Sequence, residues 1–488
     1  MNAVESRPRD WIARNVGILL TSEVVLSLAL GFHALGRKSL WNDEGLSAMV
    51  SSSRWGAILS RGDPADANAR TPAMVGYHVV LKLWRGLGTS EIALRSLSVV
   101  AVAAAVIAVF LVAARLFDRA TGLLAGFVLA VAPFAVRYAQ EARSYALMML
   151  LVTVGVWCFV RAVETGRGTW WVAYVLVAAA SCYAHAFAGF VILAEAASLC
   201  FLGRDRPPRR HLLAVVGSLV ILLLPLVYLL TSGGQSGSGS RPTLSSSISV
   251  ISNVAGGKLL FVVLGALAIM PFVQLARRWR AGGPSLATWR TALVVCWLVV
   301  PCVSAFVFAF FEDSWQPRYL IASLPALCIA VATTLRPIRD RRLLAVALVG
   351  IAVLSAFKIR NWYDAPSHED WRAATASVLR SSTPDDGVVF CIPSVRPTFE
   401  YYVLRADRPD RPQPLSPTPP WGDGFHAVGA GRATVASWAV GPERIWVVSR
   451  YAGPGAAGAC DLASSMRGRT RVTNREVGNI AVQRWDLD

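Results

Sequence analysis

Two adjacent carboxylates, Asp43 and Glu44, stand in the motif WNDEG after the first long apolar segment. A carboxylate held beside apolar groups can have its proton affinity tuned toward neutral pH, and it can then remove a proton from a hydroxyl that attacks an anomeric carbon. Its neighbour would contact the attacking molecule, and either acid is a candidate ligand for a divalent cation, Mg²⁺ or Mn²⁺. A structural interpretation also fits, in which Asn42 or Asp43 caps the next helix and Glu44 favours its positive end.

Four arginines mark the ends of apolar segments on the same side of the predicted bundle as WNDEG. They are Arg95 in EIALR, Arg137 and Arg143 in RYAQEARSYAL, and Arg318 in WQPRYL. A lone arginine at such a place is usually an interfacial anchor whose stem lies along apolar surface. Four together run against the usual charge bias of membrane proteins. We therefore predict that Arg137, Arg143 and Arg318 bind the phosphate of a leaving group as its negative charge develops.

Four further side chains near these arginines are candidate substrate contacts. Tyr138 and Tyr145 would stack on sugar faces or belong to the aromatic belt at the membrane surface. Glu141 lies between them, among the acids on this side of the bundle. His185, in the short turn YAHAFAG, either reaches into the site or is a polar residue between helices.

The composition indicates that membrane-spanning helices position these groups. Of 488 residues, 55% are hydrophobic and 16% charged, and the apolar residues fall in long, nearly charge-free runs. Such runs must satisfy their own backbone hydrogen bonds in lipid, so they must be helices. The net charge of +18 lies in short connectors between these runs. This distribution reflects the orientation of the helices in the membrane, and it excludes a nucleic-acid-binding surface.

The sequence therefore predicts a mostly α-helical, polytopic membrane bundle of about eleven spanning helices. The predicted segments are 16–35, 96–114, 123–136, 144–160, 170–183, 186–202, 212–230, 259–275, 292–311, 320–335 and 343–357. Arginines concentrate in every second connector, which places those connectors and the N-terminus in the cytoplasm. An odd number of helices then places the C-terminal tail outside it, in a multi-pass protein of the cell membrane.

Residues 1–360 form the predicted membrane domain, and residues 361–488 form a small extracytoplasmic α/β domain. The long first outer loop, 37–90, contains two amphipathic helix candidates, 45–60 and 72–87, which we expect along the membrane surface. The Gly/Ser-rich segment 231–257 is expected to be a flexible linker or a substrate-gating loop.

The tail, from residue 364, loses the long apolar runs. It has helix candidates at 369–379 and 399–404 and strand candidates at 387–392 and 444–449. Cys391 and Cys460 lie in this tail, where a disulfide is permitted, and either a bridge or two unpaired thiols is expected.

Five short motifs in this order resemble those of the C-type (GT-C) membrane glycosyltransferases, in the bacterial branch related to protein O-mannosyltransferases and aminoarabinose transferases. They are WNDEG, SEIALRSLS, PFAVRYAQEARSYAL, YAHAFAG and QPRYL, over residues 39–335, and HEDWRAA extends the resemblance to residue 374. The resemblance implies an inverting transfer from a polyprenyl-phosphate sugar to a lipid, glycan or protein acceptor at the outer membrane face. It also implies that the catalytic carboxylate is Asp43, with Glu44 beside it.

Two other functional classes remain as alternatives. A transporter or a flippase for lipid-linked sugars also needs many helices, and the acids Glu23 and Glu195 inside apolar runs favour it. A membrane scaffold whose tail binds a partner is the third class, and it would show no transfer activity.

Overall fold

The computed structural model describes residues 6–59, 72–231, 241–391, 393–416, 420–422, 442–450, 466 and 468–488. Within these ranges the α-helices, in chain order α1 to α19, are Ser6–Phe32, Asn42–Ser52, Trp55–Leu59, Val75–Trp84, Glu91–Leu116, Arg119–Ala130, Pro133–Ala139, Tyr145–Thr165, Gly168–Ala184, Gly189–Ser198, Arg209–Leu230, Leu244–Val254, Lys258–Leu267, Met270–Gly282, Leu286–Phe308, Leu324–Leu335, Arg341–Asp364, Trp371–Ser381 and Arg396–Arg405. Short 3₁₀ turns join several of them, of which Pro317–Ser323 leads into α16.

All eleven predicted apolar segments are helical. In the described part of the chain, eight helices have the length and composition to cross a membrane, and α6 with α7, bent by 60°, can form a ninth span. The remaining two predicted segments correspond to the shorter apolar helices Gly168–Ala184 and Ala186–Phe201. The predicted helix 123–136 is interrupted before Pro133, because proline has no N–H to donate to the helix. The mostly α-helical membrane fold is confirmed, while the number of crossings stays a prediction.

Helix α5 is at the centre of the bundle and packs against α1, α6 and α8. Its sequence, VVAVAAAVIAV, is rich in alanine and valine, and small side chains allow neighbouring helices to approach closely in lipid. Within its span, 72% of the residues are buried, whereas 17% are buried in α17 at the edge of the bundle. The N-terminal end of α5 therefore offers a rigid position for Arg95.

In the first loop, α2 is covered by protein, whereas α3 and α4 expose apolar side chains, among them Trp55, Leu59 and Leu83, so their place along the membrane surface stays a prediction. Helix α2 buries Leu46, Ala48 and Val50, and it packs between α4 and the tail helix α19. The predicted helix 45–60 is two helices, α2 and α3, which are separated at Ser53 and Arg54. The apolar face of α2 is therefore present as predicted, and it packs against α19 of the tail and against α4.

The segment 231–257 is more ordered than predicted over its second half. Residues 244–254 form α12, whereas 232–240 lie outside the described residues. Thr243 caps α12, because its hydroxyl accepts the N–H of Ser246 at 3.1 Å, and the Ser246 hydroxyl lies 2.8 Å from the N–H of Thr243. The linker prediction is therefore wrong for α12.

The tail combines two helices with one five-stranded sheet. Its strands, β1 to β5 in chain order, are Gly387–Phe390, Gln413–Ser416, Arg444–Arg450, Arg469–Val477 and Ile480–Leu487, in the spatial order β2-β1-β3-β5-β4. The first three pair in parallel, and β3, β5 and β4 pair antiparallel. The sequence prediction missed the β4–β5 hairpin, although its turn at Gly478, with φ +59°, is typical of hairpins.

The cysteines fall into two groups. The six in apolar helices are free thiols: Cys158, Cys182 and Cys328 are buried, Cys296 and Cys302 are partly buried, and Cys200 is exposed. In the tail, Cys391 is disulfide-bonded, and Cys460 lies outside the described residues.

Candidate active site

Helix α2 positions the two adjacent acids of WNDEG. The residue before its first turn is Trp41, whose backbone N–H donates to the Glu44 carboxylate at 3.2 Å. The expected capping by Asn42 or Asp43 is therefore not observed. Successive helical residues point about 100° apart, so Asp43 and Glu44 face different surroundings.

Glu44 is completely buried, and both of its carboxylate oxygens are occupied. One oxygen accepts from Arg95 Nε at 2.8 Å and from the N–H of Ala142 at 2.7 Å. The other accepts from Arg95 Nη2 at 2.7 Å and from Trp41. This geometry favours a positioning role for Glu44 over the predicted contact with an acceptor or an ion. Removing one partner from a buried pair costs about 3–5 kcal/mol, because the other charge is left uncompensated.

Asp43 faces two arginines that come from distant parts of the chain. Its Oδ2 atom lies 3.6 Å from Arg143 Nη2 and 3.7 Å from Arg318 Nη1. Arg143 is fixed in place because Nη1 donates to the Asp43 carbonyl and to the Ser47 hydroxyl, both at 3.1 Å. The Asp43 side chain keeps 25% of its surface exposed. Of the two acids, Asp43 is therefore the one that an incoming molecule can reach.

The predicted aromatic residues meet beside these arginines inside the protein. The Tyr145 ring centre lies 5.2 Å from Tyr138, 5.6 Å from His185 and 6.3 Å from Tyr319. Tyr138, Tyr145 and His185 are each less than 5% exposed, so they form an interior cluster rather than a lipid-facing belt. Sequence reasoning did not single out Tyr319, although it directly follows Arg318.

His185 is neutral in this cluster. Burial lowers its pKa to about 3, and the positive charges of Arg143 and Arg318 act in the same direction. Its Nδ1 atom accepts the backbone N–H of Phe187 at 3.3 Å. A neutral imidazole among arginines can bind a sugar hydroxyl without adding further positive charge.

A cavity of about 610 Å³ adjoins the cluster. Its charged and aromatic lining is Arg37, Lys38, Trp41, Glu44, Arg95, Arg137, Tyr138, Glu141, Arg318, Trp362, Tyr363, His368, Glu369 and Arg450. Arg318 lines this cavity and also approaches Asp43, so the carboxylate lies one side chain away from the cavity. Arg143 does not line it, and its observed partners assign it to holding Asp43.

Lys38 and Arg137 form a cationic wall of this cavity around Trp362. The Lys38 ammonium lies 3.5 Å from the Trp362 ring centre, and the Arg137 guanidinium carbon lies 5.1 Å from it. Burial, together with the charges of Arg137 and Arg95, lowers the pKa of Lys38 to about 8. Lys38 was missed from the sequence, although a lysine on the predicted outer side is a signal of the same kind as the arginines.

Glu141 is buried below this wall. Its Oε1 atom lies 3.5 Å from Arg137 Nε, in a pair four residues apart. Burial raises the pKa of Glu141, while Arg137 opposes that shift. The partly exposed Arg137 side chain is therefore tethered on one side and open to the cavity on the other.

The tail holds the backbone next to Asp43. Glu369 accepts the N–H of Asn42 at 2.8 Å and pairs with Arg450 at 2.6 Å. The Thr398 hydroxyl donates to the carbonyl of Asn42 at 3.2 Å. Gly45 makes this approach feasible, because a Cβ atom there would lie 2.0 Å from Thr398 Oγ1. The motif WNDEG thus ends in glycine where α19 crosses α2.

Among the described residues, the side chains around Asp43 do not fit a resident divalent cation. In the described ranges, no three His, Cys, Asp or Glu side chains come together in a way that could hold a metal ion. Two arginines approach Asp43, while Glu44 and Glu141 have arginine partners of their own. Cation sites need several oxygen ligands and little positive charge nearby, so we assign no step to Mg²⁺ or Mn²⁺.

The acids inside the apolar helices do not form a second polar path. Glu195 accepts the hydroxyl of Tyr174 at 2.6 Å and is 2% exposed. Glu23 packs against α6, where its carboxylate meets Gly126. They are therefore buried in separate helix contacts.

Comparison with solved structures identifies the architecture. The crystal structure of ArnT from Cupriavidus metallidurans bound to undecaprenyl phosphate matches with a TM-score of 0.62 at 16% identity, covering 95% of this chain and 97% of ArnT. This chain has the GT-C fold. AglB from Archaeoglobus fulgidus, in complex with an inhibitory peptide and a dolichol-phosphate, shares the GT-C fold with a TM-score of 0.55 at 11% identity, covering 97% of this chain and 74% of AglB.

Sequence comparison agrees with the GT-C fold over part of the chain. The model of the dolichyl-phosphate-mannose-protein mannosyltransferase family matches residues 72–230. No curated protein sequence matches the chain significantly. The resemblance to GT-C glycosyltransferases predicted from WNDEG and the arginine motifs is confirmed, as is a multi-pass membrane protein.

Proposed function

We propose that this protein is an inverting glycosyltransferase that moves a sugar, a hexose or a pentose, from a polyprenyl-phosphate donor to a hydroxyl of a lipid, glycan or protein acceptor. The observation that carries the proposal is the position of Asp43. It is a partly exposed carboxylate beside Arg318, which also lines a cavity with a cationic wall. The structures of ArnT with undecaprenyl phosphate and of AglB with a dolichol-phosphate support this donor class.

In this mechanism Asp43 acts as the general base. An acceptor hydroxyl attacks the anomeric carbon from the side opposite the phosphate, and the bond from that carbon to the phosphate oxygen breaks. The hydroxyl proton passes to the Asp43 carboxylate, and the electron pair of the broken bond leaves on the polyprenyl phosphate. Arg143 and Ser47 hold Asp43 in position for this transfer.

The cationic wall, together with Arg318, binds the phosphate of the intact donor and also the phosphate as it leaves. Arg318, Arg137 and Lys38 present three donors at the cavity, and fixed donors stabilise the charge that develops on the leaving oxygen. Of the candidate sugar contacts, Tyr138 lines the cavity, and Tyr145 and His185 pack behind it. The location that we propose for this reaction is the outer membrane face, with the N-terminus cytoplasmic and the tail outside.

The test is sugar transfer by the purified protein with synthetic undecaprenyl-phosphate hexoses and pentoses and an acceptor extract from cell envelopes. General base catalysis contributes about 10²- to 10⁴-fold, so Asp43→Asn should lower kcat by about that factor. The matched control is Asp205→Asn, because Asp205 is exposed on a short 3₁₀ turn away from the site. Full activity of Asp43→Asn would overturn the assignment of the base, and a transporter or scaffold would show no transfer with any variant.

A further inference from the structure

A second cavity, of about 720 Å³, lies on the other side of α2 from the Arg143 and Arg318 contacts. We refer to it as the loop–tail pocket, because it lies between the first loop and tail helix α19. It is lined by Ala48, Met49, Ser52, Ser53, Arg54, Ala57, Arg85, Thr89, Pro397, Glu400, Tyr401, Leu404, Arg405 and Gly422. None of these residues lines the cavity that we assign to the donor.

Three arginines give the pocket a strong positive charge. In the described part of the chain, no carboxylate forms an ion pair with Arg54, Arg85 or Arg405. The acid in the lining, Glu400, pairs with Arg396 at 3.1 Å. The pocket therefore carries positive charge that the described protein leaves uncompensated.

Two of these arginines are fixed rather than loosely solvated. Arg85 donates to the carbonyl of Ala48 at 3.1 Å, and Arg405 donates to the carbonyl and the hydroxyl of Thr89 at 3.0 and 2.8 Å. Burial lowers the pKa of Arg85; Tyr401 opposes this shift, and the positive charge of Arg405 adds to it. Two like charges held close together cost free energy, and an anion between them would offset that cost.

We infer that the loop–tail pocket binds a phosphate or carboxylate group of the acceptor. This inference rests on the proposed function and deepens it by naming the acceptor class. The pocket also has apolar and aromatic walls, from Met49, Leu404 and Tyr401, on which a sugar ring can pack.

Helix α2 connects the pocket to the reacting centre. Asp43 lies in its first turn, and the lining residues Ala48 and Ser52 follow it by five and nine residues, which is about 8 to 14 Å along a helix axis at 1.5 Å per residue. An acceptor with its charged group in the pocket would therefore reach Asp43 only if its reactive hydroxyl lies about that far from the charged group. This geometry selects an extended acceptor, such as a phosphorylated or acidic glycan, over a small molecule.

The first test measures binding of inorganic pyrophosphate to the full-length protein in phosphatidylcholine nanodiscs by calorimetry. Arg318→Ala serves as the starting protein, so that the donor cavity contributes little. Adding Arg54→Gln and Arg405→Gln should weaken binding by about tenfold or more, since each lost contact is a hydrogen bond to a charged group. The matched control is Arg475→Gln, an exposed arginine of β4, which should leave the affinity unchanged. Unchanged affinity in the Arg54 and Arg405 variant would overturn the site.

Two further arms distinguish the source of the anion and the role of the pocket. If phosphatidylglycerol in the nanodiscs displaced pyrophosphate, the occupant would be a lipid headgroup, and the acceptor assignment would be wrong. In the transfer assay, Arg54→Gln with Arg405→Gln should raise the KM for the acceptor and leave the donor KM and kcat unchanged. A change in the donor KM would overturn the assignment. If no protein showed transfer, the proposed function would fail, while the pyrophosphate result would still decide whether the pocket binds anions.

Discussion

Arg318 Nη1 lies 3.7 Å from Asp43 Oδ2, and the same arginine lines the cavity whose cationic wall contains Lys38 and Arg137. One guanidinium therefore adjoins both the proposed base and the proposed phosphate site. During transfer Asp43 loses its negative charge as it gains the proton, and a negative charge develops on the leaving phosphate oxygen. A guanidinium that adjoins both groups can pair with Asp43 before transfer and with the phosphate as it leaves.

Arg318→Ala should weaken donor binding more than acceptor binding. Hydrogen bonds to charged groups contribute about 1.5–3 kcal/mol, roughly 10- to 100-fold in Kd. Calorimetry with undecaprenyl phosphate in detergent checks this, and Arg277→Ala, at an exposed position of α14, is the control. A larger effect on the acceptor KM than on the Kd of undecaprenyl phosphate would reverse the role of Arg318.

Donor binding should depend on pH through Lys38. Its pKa is lowered from 10.5 to about 8, so its positive charge is lost as the pH rises through about 8. The second ionisation of a phosphate monoester lies near pH 6, which keeps the ligand charge constant above pH 7. The affinity for undecaprenyl phosphate should therefore fall between pH 7 and 9 in the wild-type protein. It should stay level in Lys38→Arg, because arginine remains charged, and an equal fall in both proteins would contradict the prediction.

The lowered pKa of Lys38 should make the free energy of unfolding rise with pH, whereas the affinity for the donor falls. Between pH 8 and 10.5 the unfolded chain holds a proton on Lys38 that the folded protein has lost. The contribution of Lys38 to the free energy of unfolding therefore rises with pH in that window. A pH series of thermal unfolding midpoints, compared between wild type and Lys38→Met, separates this contribution from ligand binding.

Glu369→Gln should lower kcat through the position of Asp43. Glu369 holds the Asn42 N–H and Arg450, so the neutral variant loosens the turn that carries the base. A displacement of about 1 Å can reduce catalysis by up to about 100-fold. The Kd of undecaprenyl phosphate is measured in parallel, because Glu369 and Arg450 also line the donor cavity, and Glu476→Gln on the exposed strand β4 is the control. A normal kcat, or a change in binding alone, would show that the tail does not position the base.

Gly45→Ala should destabilise the contact between the first loop and the tail. The new Cβ would lie 2.0 Å from Thr398 Oγ1 and 2.6 Å from Thr398 Cα, so the α19 backbone must shift. Overpacking of this kind costs about 1–3 kcal/mol, seen as a lower thermal midpoint in detergent. Gly56→Ala is the matched control in the same loop, since a Cβ there meets nothing within 4 Å. Equal midpoints for the two variants would mean that α19 does not pack on α2 in solution.

The sequence alone determined the architecture of the bundle and the residue types of the site. Apolar runs of this length must be helices, because lipid supplies no partners for backbone N–H and C=O groups. Charges excluded from lipid collect at helix ends, so the candidates Asp43, Arg137, Arg143 and Arg318 could be recognised from their places in the chain. Short motifs in a fixed order then indicated the GT-C fold.

Tertiary structure alone decided what each of those side chains contacts. Asp43 and Glu44 are adjacent in sequence, yet Glu44 is saturated by Arg95 and Ala142 while Asp43 meets Arg143 and Arg318. No local pattern specifies this difference, because the partners come from other helices and a helix turns neighbouring residues about 100° apart. The same reason explains why Lys38, Trp362 and Glu369 could not be grouped from the sequence. They lie far apart along the chain, and folding alone brings them to one cavity.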